Sequence, residues 1–111
     1  MTYSEKLQDP RWQKKRLKVM NRDNWLCLDC NESEKTLTVH HCRYSGEPWE
    51  IEDKFLMTLC MDCHKSRQDD ENDAKMMVAQ ISSLMDQNEF HEFVGRLANV
   101  VCIKQSQKVT Q

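Results

Sequence analysis

The hydrophobic positions of this chain follow one rhythm up to about residue 68 and another beyond it. Between Pro10 and about Arg22, Trp12, Leu17, Val19 and Met20 recur within a basic segment. That spacing predicts a helix with those four side chains available for packing and the lysines outside. Asp9 can cap it, and Pro10 suits a first helical position, where its missing N–H would be unpaired anyway. Thr36-Leu37-Thr38-Val39-His40 alternates and is β-branched, which predicts a short strand. His41 to Asp53, with Ser45-Gly46-Glu47-Pro48, reads as loop. Phe55 to Leu59 predicts a second strand ending at Cys60, and Asp62 to about Arg67 is expected to start a helix that carries His64.

Past the acidic cluster Asp69-Asp70-Glu71-Asn72-Asp73 the pattern is helical. Met77, Ile81, Leu84 and Met85 fall on one face, and Phe90, Phe93, Val94, Leu97 and Val101 recur at spacings of three and four. Asp86-Gln87-Asn88 is the expected break between two helices. The stripes are expected to cover the first part of the chain or each other, with a dimer interface as the other use. Gln105 to Gln111 reads as a frayed tail. The pattern divides the chain into residues 1–68 and a helical extension, 69–111.

At 111 residues the chain has a limited core, so a metal that ties its loops together would supply a real share of stability. Six cysteines raise the question of a disulfide scaffold. The absence of a signal-peptide h-region, the high charge content and the placing of four cysteines in CxxC pairs favour an intracellular, cytoplasmic and reducing location. Cys42 and Cys102 are then expected to be unpaired thiols. No apolar run approaches the length of a membrane span.

The net charge of −2 conceals an uneven distribution. Residues 1–23 carry Lys6, Arg11, Lys14, Lys15, Arg16, Lys18 and Arg22 against Glu5, Asp9 and Asp23. A basic end on a nearly neutral chain can bind polyanions locally, although a charge run by itself is more often a solvated helix face.

Cys27-x-x-Cys30 and Cys60-x-x-Cys63 carry the strongest chemical signal. Zinc prefers four soft or borderline ligands at tetrahedral corners, and a CxxC turn brings two thiolates to one metal. Two such pairs flanking a strand-and-loop segment point to one structural Cys₄ zinc site. An all-sulfur shell leaves no open position, so the chemistry must lie elsewhere. His40, His41 and His64 lie within or beside the cysteine-bounded segment, whereas His91 is far outside it. Neighbouring residues on a strand point to opposite faces, so His40 and His41 cannot serve one metal equivalently. His64, directly after Cys63, would be held in register by the zinc.

Taken in order, Asn21-Arg22-Asp23-Asn24-Trp25-Leu26-Cys27-Leu28-Asp29-Cys30, then Val39-His40-His41, then Leu56-Met57-Thr58-Leu59-Cys60-Met61-Asp62-Cys63-His64 resembles the HNH endonuclease family. The likeness is to its small bacterial and phage-type members with a Cys₄ zinc, and it covers about residues 10–67. The resemblance implies an α+β fold: a ββα-metal (His-Me finger) core with an N-terminal helix and a C-terminal helical extension. By position, His40 and His64 would ligate a catalytic divalent ion, Mg²⁺ or Mn²⁺, and His41 would be the general base that activates water. The family's central Asn usually stands just before the second strand, where this chain has Phe55. A backbone carbonyl, Glu50, Glu52 or Asp53 would have to take over its role.

The function this implies is metal-dependent hydrolysis of DNA phosphodiester bonds, by nicking or double-strand cleavage, with low sequence specificity. Lys14, Lys15, Arg16, Arg43, Lys65 and Arg67 are candidates for phosphate contacts, which position DNA without reading its bases. Trp49 is expected to pack the long loop. DNA is the expected partner, no membrane is, and the chain would act as a monomer or as a homodimer through its C-terminal helices. Two other readings keep the zinc without the hydrolysis: a non-catalytic zinc-stabilised nucleic-acid-binding module, and a protein-interaction adaptor using the C-terminal helices.

Overall fold

A computed structural model of the chain describes residues 1–43 and 46–109, the side chains of 108 and 109 excepted. Ser45 of the expected loop, and the last two residues of the expected tail, lie outside that set. The described chain is α+β. Two short helices, α1 (Tyr3–Lys6) and α2 (Pro10–Arg22), precede a two-stranded antiparallel sheet of β1 (Leu37–His41) and β2 (Leu56–Cys60). Two 3-10 turns, Pro48–Glu50 and Asp53–Phe55, lie between the strands, and α3 (Met61–Leu84) and α4 (Gln87–Val109) follow. The chain divides into two compact units, Met1–Asp69 and a second from Asp70 onward, with the division falling inside α3.

Asp9 caps α2 by accepting the Arg11 N–H at 2.8 Å, with Pro10 at the first turn. The face of α2 that packs carries Trp12, Val19 and Met20, all buried, which join Val39, Ile51 and Leu56 in one core. Leu17, expected to pack with them, is exposed. It lies five residues from Trp12, a separation that on a helix turns it away from that face. The short α1 is announced in the sequence by Thr2 and Glu5, which form a capping box.

After α2 the chain reverses through Asn24 and Trp25, both at left-handed φ, 59° and 58°. Such a conformation is tolerated by Asn and costs a bulky Trp about 1–2 kcal/mol. The Trp25 N–H donates to the Met20 carbonyl at 2.9 Å, closing the helix end. Leu26 and Cys27 then enter a tight turn in which the Asn31 N–H donates to the Cys27 carbonyl at 2.8 Å.

In the sheet, Leu37 pairs with Cys60, Val39 with Thr58 and His41 with Leu56. A two-stranded ribbon leaves two outer edges. That of β2 is covered without a third strand. The Arg22 guanidinium donates to the Leu56 carbonyl at 2.7 Å, the Thr58 N–H donates to an Asp23 carboxylate oxygen at 3.0 Å, and the Leu28 N–H donates to the Thr58 carbonyl at 3.0 Å. The end of α2 and the first cysteine turn are thereby fixed to the strand that leads into Cys60.

In the second unit, Asp86 caps α4 by accepting the Glu89 N–H at 2.9 Å. Phe90 and Phe93 stack with centroids 6.2 Å apart. Of the expected stripes within this unit, Ile81, Met85, Phe90 and Phe93 are partly buried, whereas Met77, Leu84, Val94, Leu97 and Val101 are exposed. Among the described residues, no helix is long and apolar enough to cross a membrane.

Candidate functional site

The sulfurs of Cys27, Cys30, Cys60 and Cys63 all lie within 4.8 Å of one another. The Cys30 and Cys60 sulfurs are 3.9 Å apart. Around a tetrahedral zinc with Zn–S of about 2.3 Å, neighbouring sulfurs stand ~3.8 Å apart, so these four thiols fit a structural metal such as zinc. Protonation tells the same story. Burial would raise the Cys27 thiol, but backbone N–H groups of the two cysteine turns outweigh it and hold the thiol down at about 6. Cys63 is pushed up to about 12, first by its contact with Cys60 and then by burial, and Cys30 is also raised. Four thiolates cannot share so small a volume without a cation between them.

The cluster fixes the start of α3. The Cys63 N–H donates to the Cys60 sulfur at 3.4 Å, and the Met61 N–H donates to the Thr36 carbonyl at 3.2 Å. His64 sits on the next turn and faces β1. Its ring packs edge-on against His40, with centroids 5.0 Å apart. The Thr38 hydroxyl donates to the Leu59 carbonyl at 3.0 Å and lies 2.7 Å from His64 Nδ1. A hydroxyl has one proton: given to Leu59, it leaves Thr38 to accept from His64 Nδ1–H, with the imidazole lone pair on Nε2, the tautomer of a ligand that binds metal through Nε2.

His41 faces the other side of β1, as strand alternation requires. It is buried and stacks on Trp12, with centroids 4.7 Å apart and an interplanar angle of 24°. Burial lowers its pKa to about 4, with the neighbouring His40 and His64 adding to the effect. His41 is therefore neutral at pH 7 and can accept a proton.

The loop residues named as stand-ins for the missing Asn are placed as follows. The Phe55 carbonyl accepts the Cys42 N–H at 2.7 Å, extending the strand pairing by one step beyond His41–Leu56. The main chain at Phe55 thus ties down the residue next to His41, whatever the side chain. Asp53 pairs with Lys15 (2.9 Å) and Lys18 (3.2 Å). Glu50 accepts the Glu47 N–H at 3.2 Å, and Glu52 pairs with Lys54 at 3.4 Å. Trp49 packs partly buried against the core, and the Arg11 guanidinium lies over its ring at 4.0 Å.

The candidate phosphate contacts separate into engaged and available cations. Lys15 is held by Asp53, Lys65 by Asp69 at 3.0 Å, and Arg67 by Asp29 in a two-pronged pair at 2.7 and 3.0 Å. Arg67 thereby ties α3 to the first cysteine turn. Arg43 lies over the Phe55 ring at 5.3 Å. Among the described residues, Lys14 and Arg16 form no ion pair. A cleft of about 560 Å³ is lined by residues that include Tyr3, Trp12, Arg16, Thr38, His41 and His64. Because it takes residues from both faces of β1, it runs along the edge of that strand away from β2. Neither the cleft nor the contribution of Tyr3 to it was apparent from the sequence.

Comparison of the chain with protein-family models, with curated proteins and with solved structures gives no match.

Proposed function

We propose that the protein is a metal-dependent DNA endonuclease of the HNH type, with a ββα-metal arrangement made by β1, β2 and the first turns of α3. The observation that carries this reading is the sorting of three histidines by one strand. His40 and His64 meet on one side, with the Thr38 hydroxyl 2.7 Å from His64 Nδ1. His41 comes from the other, and both His41 and His64 line one cleft. A metal ligand and a proton acceptor that reach one shared cleft are what phosphodiester hydrolysis requires, because both must act on the same phosphate.

In this reading His40 and His64 hold a divalent ion, Mg²⁺ or Mn²⁺. When bound, the ion supplies positive charge to a phosphate oxygen and to the leaving 3′ oxygen. His41, neutral at pH 7, takes a proton from the attacking water. Trp12 holds the His41 ring in place by stacking, and the Phe55 carbonyl fixes the main chain beside it. The resemblance drawn from the motifs leads one to expect a 5′ phosphate and a 3′ hydroxyl as products.

A second reading draws on one specific observation. The burial that lowers His41 to about 4 also weakens it as a base. A zinc-stabilised module that binds nucleic acid without cutting it would carry no penalty for this. The two readings part on one experiment. Supercoiled plasmid is incubated with zinc-loaded protein and Mn²⁺ or Mg²⁺, beside EDTA and His41→Ala controls. Relaxed or linear plasmid that disappears in both controls supports the nuclease. Retarded but intact plasmid supports the binding module, and cleavage that survives His41→Ala rules out the role given to His41.

A further inference from the structure

Arg16 differs from its neighbours on α2. Every other basic residue on the helix except Lys14 is matched to a carboxylate: Arg11 to Asp9, Lys15 and Lys18 to Asp53, and Arg22 to Asp23. Lys14 is exposed, whereas Arg16 is half-buried and lines the cleft that also contains His41 and His64. No carboxylate among the described residues forms an ion pair with it. Its guanidinium is nevertheless held. Arg16 Nη1 donates to Gln13 Oε1 at 3.3 Å, and Gln13 Nε2 donates to the Leu7 carbonyl at 2.8 Å. The Gln13 amide is thereby oriented from both ends and presents its oxygen to the arginine.

A partly desolvated guanidinium with no anion of its own is a seat for a phosphate, because its donors match phosphate oxygens in pairs. The rest of the cleft has a different chemistry. Tyr3, Leu7, Trp12 and Val39 contribute rings and aliphatic carbon to its walls, and the Tyr3 ring is half-exposed. At about 560 Å³ the cleft falls within the range of small-ligand sites. It suits one nucleotide drawn out of its stack, not a length of duplex.

We propose that this cleft is a subsite for a single unpaired nucleotide, with its phosphate on Arg16 and its base against Tyr3 and Leu7. The proposal rests on the nuclease reading for what happens next, since it brings the phosphate to His41. It makes single-stranded, frayed or gapped DNA the preferred substrate class. Gln13 is a positioning residue that acts through Arg16.

The test uses zinc-loaded full-length protein. Binding is read by fluorescence anisotropy without added divalent ion, on a labelled single-stranded pentanucleotide, the same oligonucleotide with a central abasic site, and the same five base pairs closed into a stable hairpin duplex by a linker. Cleavage of the single strand is read separately in Mn²⁺. The single strand should bind at least tenfold more tightly than the duplex. Arg16→Ala should weaken that binding about tenfold and lower the slope of log affinity against log salt by about one. Arg16→Lys should restore the slope but not the full affinity. Tyr3→Ala should weaken the complete oligonucleotide and leave the abasic one unchanged. Gln13→Ala should raise KM with little change in kcat, and Lys75→Ala serves as the unaffected control.

Equal affinity for duplex and single strand, or single-strand binding unchanged by Arg16→Ala and Tyr3→Ala, overturns the subsite. If those binding effects appear but no DNA is cut, the subsite stands and the nuclease reading fails. If cleavage is present and indifferent to both substitutions, the nuclease stands and the subsite fails.

Discussion

Arg22 makes four hydrogen bonds from one guanidinium: two to the Asp23 carboxylate, one to the Asp53 carbonyl and one to the Leu56 carbonyl. Asp23 in turn accepts the Thr58 N–H, and its side chain is almost fully buried. Burial would raise the Asp23 carboxyl, but Arg22 and the Thr58 N–H outweigh it and hold it below the ordinary carboxylate range. Asp23→Asn should therefore cost about 1–3 kcal/mol at pH 7, read from urea midpoints of zinc-loaded protein. The pH dependence has a definite sign. The folded state binds the Asp23 proton more weakly than the unfolded state, so the contribution is complete above the unfolded pKa of about 4. The gap between wild type and Asp23→Asn should be constant from pH 7 to about 5 and narrow only as the pH falls through the lowered folded value. Two substitutions address the histidines. Thr38→Val removes the hydroxyl beside His64 Nδ1 and should weaken divalent-ion affinity about 10–100-fold, measured as the Mn²⁺ concentration for half-maximal cleavage. Two imidazoles are nitrogen donors, which suit Mn²⁺ better than the oxygen-seeking Mg²⁺. Mn²⁺ should therefore support faster plasmid cleavage than Mg²⁺, and His40→Asp should narrow the difference.

The elements were legible to different degrees, for reasons that can be named. The start of α2 lies at Pro10, where Asp9 and Pro10 placed it. β1 is bounded at Leu37 and not Thr36 because its next partner, Met61, already belongs to α3, although the Thr36 carbonyl still accepts the Met61 N–H in the register of the ladder. It includes His41, which the alternation had left in the loop. Phe55 belongs to a 3-10 turn and not to β2. The largest departure is α3, which starts where a helix was expected but runs unbroken from Met61 to Leu84, through the acidic cluster at which the pattern was expected to change. A run of like charges suggested an interruption, but no Gly or Pro occurs between Pro48 and Gly95. Asp and Glu lower helix propensity only slightly, and nothing there removes a backbone hydrogen bond. In the site, the cysteine spacing pointed to the four-thiol cluster, since each CxxC turn is local. The cleft could not be read in that way, because it depends on which α2 cations find carboxylates far away in the chain. Lys15 and Arg16 are neighbours in sequence, and only the position of Asp53 separates their roles.

For the molecule as a whole, the Cys₄ cluster links parts of the chain that the small core alone holds weakly. It joins the turn after α2, the end of β2 and the start of α3. Metal removal should therefore abolish the fixed tertiary structure of the first unit, monitored by near-ultraviolet circular dichroism and by the fluorescence of Trp12, Trp25 and Trp49 together. Cys60→Ser should reproduce this in the absence of chelator. Binding of the metal must displace protons from at least Cys30 and Cys63, whose thiols are raised. Each displaced proton changes affinity tenfold per pH unit, so zinc affinity should rise roughly a hundredfold or more for each unit of increasing pH below those values. Competition with a chromophoric chelator at pH 6.5 and 7.5 measures this directly, and a pH-independent affinity would contradict the four-thiolate assignment.

The sorting of His40 and His41 to opposite faces has a consequence for how such a chain can change. Each strand residue exchanges sides when the chain ahead of it slips by one, and Leu37 is paired with Cys60, whose sulfur is committed to the metal cluster. Many single substitutions in β1 would leave the two imidazoles where they are. A one-residue deletion or insertion between Leu37 and His41 would exchange the His40 side for the His41 side in one step. An indel scan should consequently find this pentapeptide far less forgiving than its substitution tolerance suggests, a signature of a segment whose reading frame, and not its composition, carries the information.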